Sequence, residues 1–249
     1  RGRGGRLPHL HGKDAAMSRV TYDAGTMTIT VEGMEDVAEA LGDLKSKTPA
    51  AAKVAINATA REARKLMIAK AKARYAVNAA GQRHLKDLVQ RKKATNTSLS
   101  AELHIAKMRN DLGYFQHRPT ESFSGRDVLN RAPAHVKARV LKSSSMTALT
   151  GEKGNLSKGF LVEFKSGHVG MVQRKIGSNS SHKTTERGHP RWRTKDGRVE
   201  KLVTMGSPSA AGMHSTVWPL VEPDVVEYLQ DRLMEQTERI IERAKAKRG

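Results

Sequence analysis

Ten cationic side chains, Arg61, Arg64, Lys65, Lys70, Lys72, Arg74, Arg83, Arg91, Lys92 and Lys93, stand within one stretch of the chain. Guanidinium and ammonium groups at this density can neutralise phosphate or carboxylate oxygens. From position 49 to position 94 there are twelve Lys and Arg against two acids, Glu62 and Asp87, so the stretch holds a net +10 of the whole chain's +20. Like charges three and four residues apart destabilise a helix, and two acids cannot balance twelve bases. A solvated helix face is the bland account of a charge run. So lopsided a run points instead to a partner, either a polyanion or the acidic face of another subunit. Tyr75 is the only aromatic residue in the stretch. Base stacking is therefore not expected, and contact with nucleic acid would be to backbone phosphate without sequence preference.

Other chemistries find weaker support. Of ten histidines, only His9 with His11 and His182 with His189 form close pairs, and neither pair has carboxylates at ligand spacing. No Gly-x-Ser-x-Gly elbow is present, and Ser207 and Ser209 flank Pro208 as turn formers. An acid–base pair needs two converging acids, whereas Glu32, Glu102 and Glu163 occupy polar strand positions, where solvated side chains are expected. Gly151-Glu152-Lys153-Gly154 matches the loop with which KH domains clamp nucleotides, but that loop joins two helices and here a strand adjoins it. The chain has no cysteine, hence no disulfide, thiolate metal site or thiol nucleophile. These readings predict a non-enzymatic protein with no cofactor, metal or small-molecule substrate. No apolar run approaches the ~18 residues of a membrane span, so no membrane partner is expected.

The elements that must position the basic residues can be read from periodicity. Residues 1–25 mix Gly, Arg and His without an apolar period and read as a disordered basic leader. The remainder, 26–249, reads as a single α+β domain. Met27, Ile29 and Val31 alternate with polar residues as a strand, and Met34, Val37, Ala38 and Leu41 then share a helix face. Thr48 and Pro49 open a long helix running to about Ala80, with the Thr48 hydroxyl as N-cap. Its apolar face is Ala51, Val54, Ala55, Ala58, Leu66, Ala69 and Ala73, and 82–93 reads as a second basic helical patch. Period-two runs at 99–105, 136–140, 159–165 and 168–175 give strands, the last two forming a hairpin about Ser166-Gly167. Residues 178–198 read as a mobile loop. A last amphipathic helix from Pro223 shows Val226, Leu229, Leu233, Ile240, Ile241 and Ala244 on one stripe. The expected architecture is a mostly antiparallel sheet of four to five strands packed by the long basic Ala-rich N-terminal helix and the amphipathic C-terminal helix. A 37% hydrophobic, 4% aromatic chain has a thin core, which predicts stability drawn from partner subunits.

Several strings in this order resemble the minor tail protein Z family of long-tailed bacteriophages and prophages. They are Gly33-Met34-Glu35, then Thr48-Pro49 with Ala52-Lys53-Val54-Ala55-Ile56-Asn57-Ala58. In the second half they are Gly159-Phe160-Leu161-Val162-Glu163-Phe164 with Val172-Gln173-Arg174, then Val199-Glu200-Lys201-Leu202, the Gly206-Ser207-Pro208-Ser209 turn and the C-terminal helix. The likeness covers about positions 27–247, and the Gly-Arg leader and the 178–198 loop depart from it. The resemblance implies a tail completion protein of the virion, near the head-proximal end of the tail tube and assembled in the host cytoplasm. It implies a non-enzymatic component with other tail subunits and a ring of its own copies as partners, and it supplies no catalytic residues, while the charge of the basic face adds the expectation of nonspecific DNA contact. Two alternatives stand beside it: a nonspecific nucleic-acid-binding protein that uses phosphate contacts, and a metal-dependent nuclease, which would need acidic ligands converging on one site.

Overall fold

A computed structural model of the chain describes residues 18–31, 34–105, 110–122, 136–149, 160–176 and 200–247. The class is α+β, as the sequence predicts, and the sheets are antiparallel. In chain order the strands are β1 (Ser18–Asp23), β2 (Thr26–Val31), β3 (Leu88–Lys92), β4 (Ser100–Ile105), β5 (Gln116–Arg118), β6 (Lys137–Arg139), β7 (Thr147–Ala148), β8 (Phe160–Glu163), β9 (Val169–Ile176) and β10 (Glu200–Thr204). The α-helices are α1 (Glu35–Leu41), α2 (Thr48–Arg74), α3 (Ala79–Leu85), α4 (Ala210–Val217) and α5 (Glu222–Lys245). The chain packs as two compact units: residues 1–67, 88–106 and 214–249 form the first, and residues 68–87 and 107–213 the second.

The first unit is built on the sheet β1-β2-β4-β3. Met27, Ile29 and Val31 of β2 and Ala101, Leu103 and Ile105 of β4 are buried, while the residues between them are half-buried, so one sheet face carries the core. β1 corrects the sequence reading, because Ser18–Asp23 fall in the stretch assigned to a disordered leader. They pair with β2 through a turn in which Ala24 (φ 42°) and Gly25 (φ 88°) both take left-handed dihedrals, the twist a tight hairpin requires. Residues 1–17 lie outside the described ones. α5 lies along β1 and against α1. It buries Val225, Leu229, Leu233 and Thr237, whereas Val226, Ile240, Ile241 and Ala244 of the expected stripe are half-buried. Thr237 tolerates burial because its hydroxyl donates to the Leu233 carbonyl (2.9 Å). The Tyr22 ring stacks on Trp218 at 6.3 Å, and burial pushes the Tyr22 phenol pKa up.

α2 begins where expected, but not by the expected cap. A 3-10 turn, Gly42–Lys47, leads straight into it, and the Thr48 backbone N–H donates to the Lys45 carbonyl. The Thr48 hydroxyl finds no hydrogen-bond partner among the described residues. The buried face is Ala51, Ala52, Ala55, Ile56, Ala58, Ala60, Ala63 and Met67. Val54, Ala69 and Ala73 of the predicted face are exposed and Leu66 is half-buried, because larger Ile56 and Met67 turn inward instead.

In the second unit α2 stops at Arg74, short of the predicted Ala80. Residues 75–78 become extended: Tyr75 bridges Leu141, Val77 bridges Phe115, and Ala76 donates to the Val140 carbonyl (2.8 Å) while accepting from Gln116 (2.7 Å). Asn78 then caps α3, its Oδ1 accepting from Gly81 N–H (3.0 Å). The predicted basic helix over 82–93 is likewise corrected. α3 ends at Leu85 and, in the first unit, Leu88–Lys92 are β3, since the open edge of β4 pairs their backbone and Leu88 enters the core. The sheets β10-β9-β8 and β5-β6-β7 complete the second unit. The expected hairpin of β8 and β9 turns at Gly167 (φ 74°), and it buries Phe160, Leu161, Val162, Met171 and Val172. The 178–198 loop and the Gly151 to Gly154 motif lie outside the described residues.

Candidate functional site

Six of the ten basic residues stand on the first unit. Arg61 and Lys65 lie one turn apart on exposed α2, and Lys65 Nζ pairs with Glu62 at 3.0 Å. Arg64 points back toward the sheet, its Nε donating to the Leu88 carbonyl at 2.5 Å. Asn57 adds a second tie. Its Oδ1 accepts from Ala94 N–H (3.1 Å) and Gln90 Nε2 (3.1 Å), and its Nδ2 donates to the Ala94 carbonyl (3.0 Å). These contacts fasten α2 beside β3 and the residues that follow it. Arg91, Lys92 and Lys93 are all exposed. In a regular strand, consecutive residues alternate between faces. Here the register shifts between Gln90, opposite Leu103, and Lys92, opposite Glu102, so Arg91 is the extra residue of a bulge. A bulge bends the strand and re-aims its side chains. Lys92 Nζ lies 3.7 Å from Glu102 Oε1.

The other four belong to the second unit. Lys70 and Arg74 are exposed, Lys72 is half-buried, and Arg83 is exposed on α3. The Arg74 guanidinium sits 5.9 Å over the Tyr75 ring, a cation–π arrangement. Sequence proximity thus groups ten cations that the fold assigns to two units. Arg61, Arg64, Lys65, Arg91, Lys92 and Lys93 share the first, and Lys70, Lys72, Arg74 and Arg83 the second. Arg61, Lys70, Lys72, Arg74, Arg83, Arg91 and Lys93 make no ion pair among the described residues.

One polar constellation in the second unit escapes sequence reasoning. Asp111 is buried, and its Oδ1 accepts from the N–H of Gly113 (2.8 Å) and of Met171 (2.9 Å). Its Oδ2 meets His168 Nε2 at 2.7 Å. The Tyr114 ring lies between two imidazoles, 4.5 Å from His84 and 5.2 Å from His168, and His168 stacks on Phe164 at 5.9 Å. A Cβ at Gly170 would stand 2.5 Å from Asp111 Oδ2, and one at Gly113 would stand 2.9 Å from the Val169 carbonyl oxygen. Glycine is required at both. A carboxylate orienting an imidazole is the supporting half of many hydrolytic sites. Here, however, both carboxylate oxygens are committed to the fold, and no Ser or Thr hydroxyl hydrogen-bonds the His168 ring among the described residues. The arrangement is a clamp that joins the 3-10 turn Leu112–Tyr114 to β9. No local spacing could announce it, since Asp111 and His168 are 57 residues apart.

Among the described residues no three His, Asp or Glu side chains gather as metal ligands, and no helix is long and apolar enough to cross a membrane. His9, His11, His182 and His189 lie outside those residues. Glu102 on β4 is half-buried and Glu163 on β8 is exposed, and Ser209 Oγ accepts from Gly212 N–H (3.1 Å) at the start of α4, as a turn former should. Comparison with family models, curated proteins and solved structures finds no match to this chain.

Proposed function

We propose that this chain is a structural subunit of a bacteriophage tail, a tail completion protein of the minor tail protein Z kind, that works by assembly and not by catalysis. The observation that carries the reading is a set of cations that make no ion pair among the described residues, Arg61, Arg91 and Lys93 on the first unit and Lys70, Lys72, Arg74 and Arg83 on the second. Unbalanced charge repels itself in the isolated chain and becomes favourable only when an anionic partner arrives. The order of strand, short helix, long Thr48-Pro49 helix, hairpin, Ser-Pro turn and C-terminal helix supports the same reading. Its partners are then other tail subunits and further copies of itself, with DNA phosphate as a nonspecific contact. Its place is the virion tail, assembled in the bacterial host's cytoplasm.

The test is deletion of the reading frame from the phage or prophage that carries it, followed by electron microscopy of the lysate. Complete tail tubes lying beside filled, unjoined heads are expected. Normal particles in normal number would overturn the reading. The second reading, a nonspecific nucleic-acid-binding protein, draws on the bulge that displays Arg91, Lys92 and Lys93 together. Tight, salt-dependent binding of duplex DNA by a monomer, with log K falling by about 0.9 per phosphate contact per unit log salt, would favour it.

A further inference from the structure

The solvent side of α5 carries the opposite sign from the basic face over most of its length, with Lys245 as a cation at its C-terminal end and Arg239 at its border. Asp224, Glu227, Asp231, Glu235, Glu238 and Glu242 recur at spacings of three and four. At 3.6 residues per turn they share an arc of roughly 80° opposite the buried stripe, and at 1.5 Å per residue they extend about 27 Å. Glu235 is held by Arg232 and, at 2.5 Å, by Arg239. The other five are exposed and make no ion pair among the described residues. Met234, at the margin of this stripe, is 49% exposed.

On the first unit's basic face, Val54 (40% exposed) shares a side of α2 with Arg61 and Lys65, and Val89 (44%) precedes Arg91, Lys92 and Lys93 on β3. Three of the four large apolar side chains exposed among the described residues, Val54, Val89 and Met234, therefore lie beside these two charged surfaces. Apolar anchors inside a charged rim are the ordinary composition of a protein interface. Both surfaces belong to one unit, but α5 lies along β1 and α2 is tied to β3, the opposite edges of the sheet. Neither is neutralised by the other within a chain.

We infer that the acidic stripe of α5 seats on the basic α2–β3 face of a second copy of this chain, head to tail. The inference deepens the assembly role proposed above and rests on it. Two different surfaces meeting in this way are a heterologous contact, which closes into a ring or runs on as a filament according to the rotation between copies. Charge gives the contact its register, and Met234 with Val54 and Val89 gives it apolar area.

Sedimentation velocity on the full chain tests it. One variant carries Glu227→Lys, Asp231→Lys and Glu238→Lys, and the other carries Arg61→Glu, Lys65→Glu and Arg91→Glu, all at exposed positions. Unchanged circular dichroism melting establishes that each is folded, and the milder Glu227→Gln with Glu238→Gln gives an intermediate loss. The wild type should form a salt-sensitive oligomer, and either reversal should weaken association at least about a hundredfold, since like-charge juxtaposition costs several kcal/mol. An equimolar mixture of the two reversed variants should associate again where neither does alone, because each pair retains one intact acidic stripe and one intact basic face. An α5 reversal that oligomerises as the wild type does would overturn the seating and leave the assembly role standing. A wild type that stays monomeric at every soluble concentration would overturn both. If the basic-face variant loses DNA binding but keeps its self-association, that face belongs to nucleic acid and the inference fails.

Discussion

The α2–β3 face and the Asp111 clamp each gather polar side chains, and they treat them in opposite ways. At the clamp each carboxylate oxygen has a donor at 2.7 to 2.9 Å, and the carboxylate is removed from water. On α2 and β3, Arg61, Arg91 and Lys93 are exposed and make no ion pair among the described residues. Buried polar groups must be satisfied, and once satisfied they specify a fold. Exposed charges contribute little to stability, so an unbalanced set of them is informative about partners. Substitutions in the two regions should therefore separate cleanly, one set acting on stability and the other on association.

The largest stability effect is expected at the clamp. Asp111→Ala leaves the N–H groups of Gly113 and Met171 and the His168 ring without their acceptor. The expected loss is about 4 kcal/mol, or roughly 10 °C in Tm for a chain of this size, measurable by thermal melts. A loss equal to that of a surface substitution would break the comparison. Asn57→Ala should come next. It removes three partly buried hydrogen bonds to Ala94 and Gln90, with a cost of about 1 to 2 kcal/mol. It should also raise amide exchange at Ala94 more than in β8 or β9, because it frees only the junction of α2 with the residues after β3.

Burial, which raises the Tyr22 pKa, gives a smaller effect, confined to alkaline pH. An unfolded tyrosine titrates near 10, while the folded phenol resists ionisation. The stability it contributes is fully present below that value and is lost as pH rises through the folded one. Between about pH 9 and pH 11 the wild type should lose more Tm than Tyr22→Phe. Equal losses would show that the phenol is not the group responsible.

The regular parts of this fold were legible because they follow a period. β2, β4 and the β8–β9 hairpin alternate strictly, and α5 repeats at three and four. The misreadings fall where local signals lose to tertiary pairing. Residues 75–78 continue a helical composition, yet Leu141 and Phe115 capture them as extended chain. Leu88–Lys92 look basic and helical, yet the edge of β4 takes them as a strand. β1 was hidden by its neighbours, since its single buried residue, Val20, gives no pattern beside a Gly-Arg segment. Of the site, the identity of the cations was legible in charge alone, whereas the half-burial of Arg64 and Lys72 was not. Nor was the cations' division between two units, because α2 passes from one to the other without a break in composition. The clamp was invisible because its two segments, with Asp111 in one and His168 in the other, lie 57 residues apart.

The most direct measurement of the central claim, that the basic face exists for a partner, combines stability with assembly in one variant. Arg61→Gln, Lys65→Gln, Arg91→Gln and Lys93→Gln together should change the folding free energy by less than about 0.5 kcal/mol, as exposed substitutions do. Supplied to a phage that lacks the gene, this variant should leave tails unjoined to heads where the wild-type chain restores particles. A folded variant that restores titre to the wild-type level would contradict the claim, and the cations would then be no more than a solvated surface.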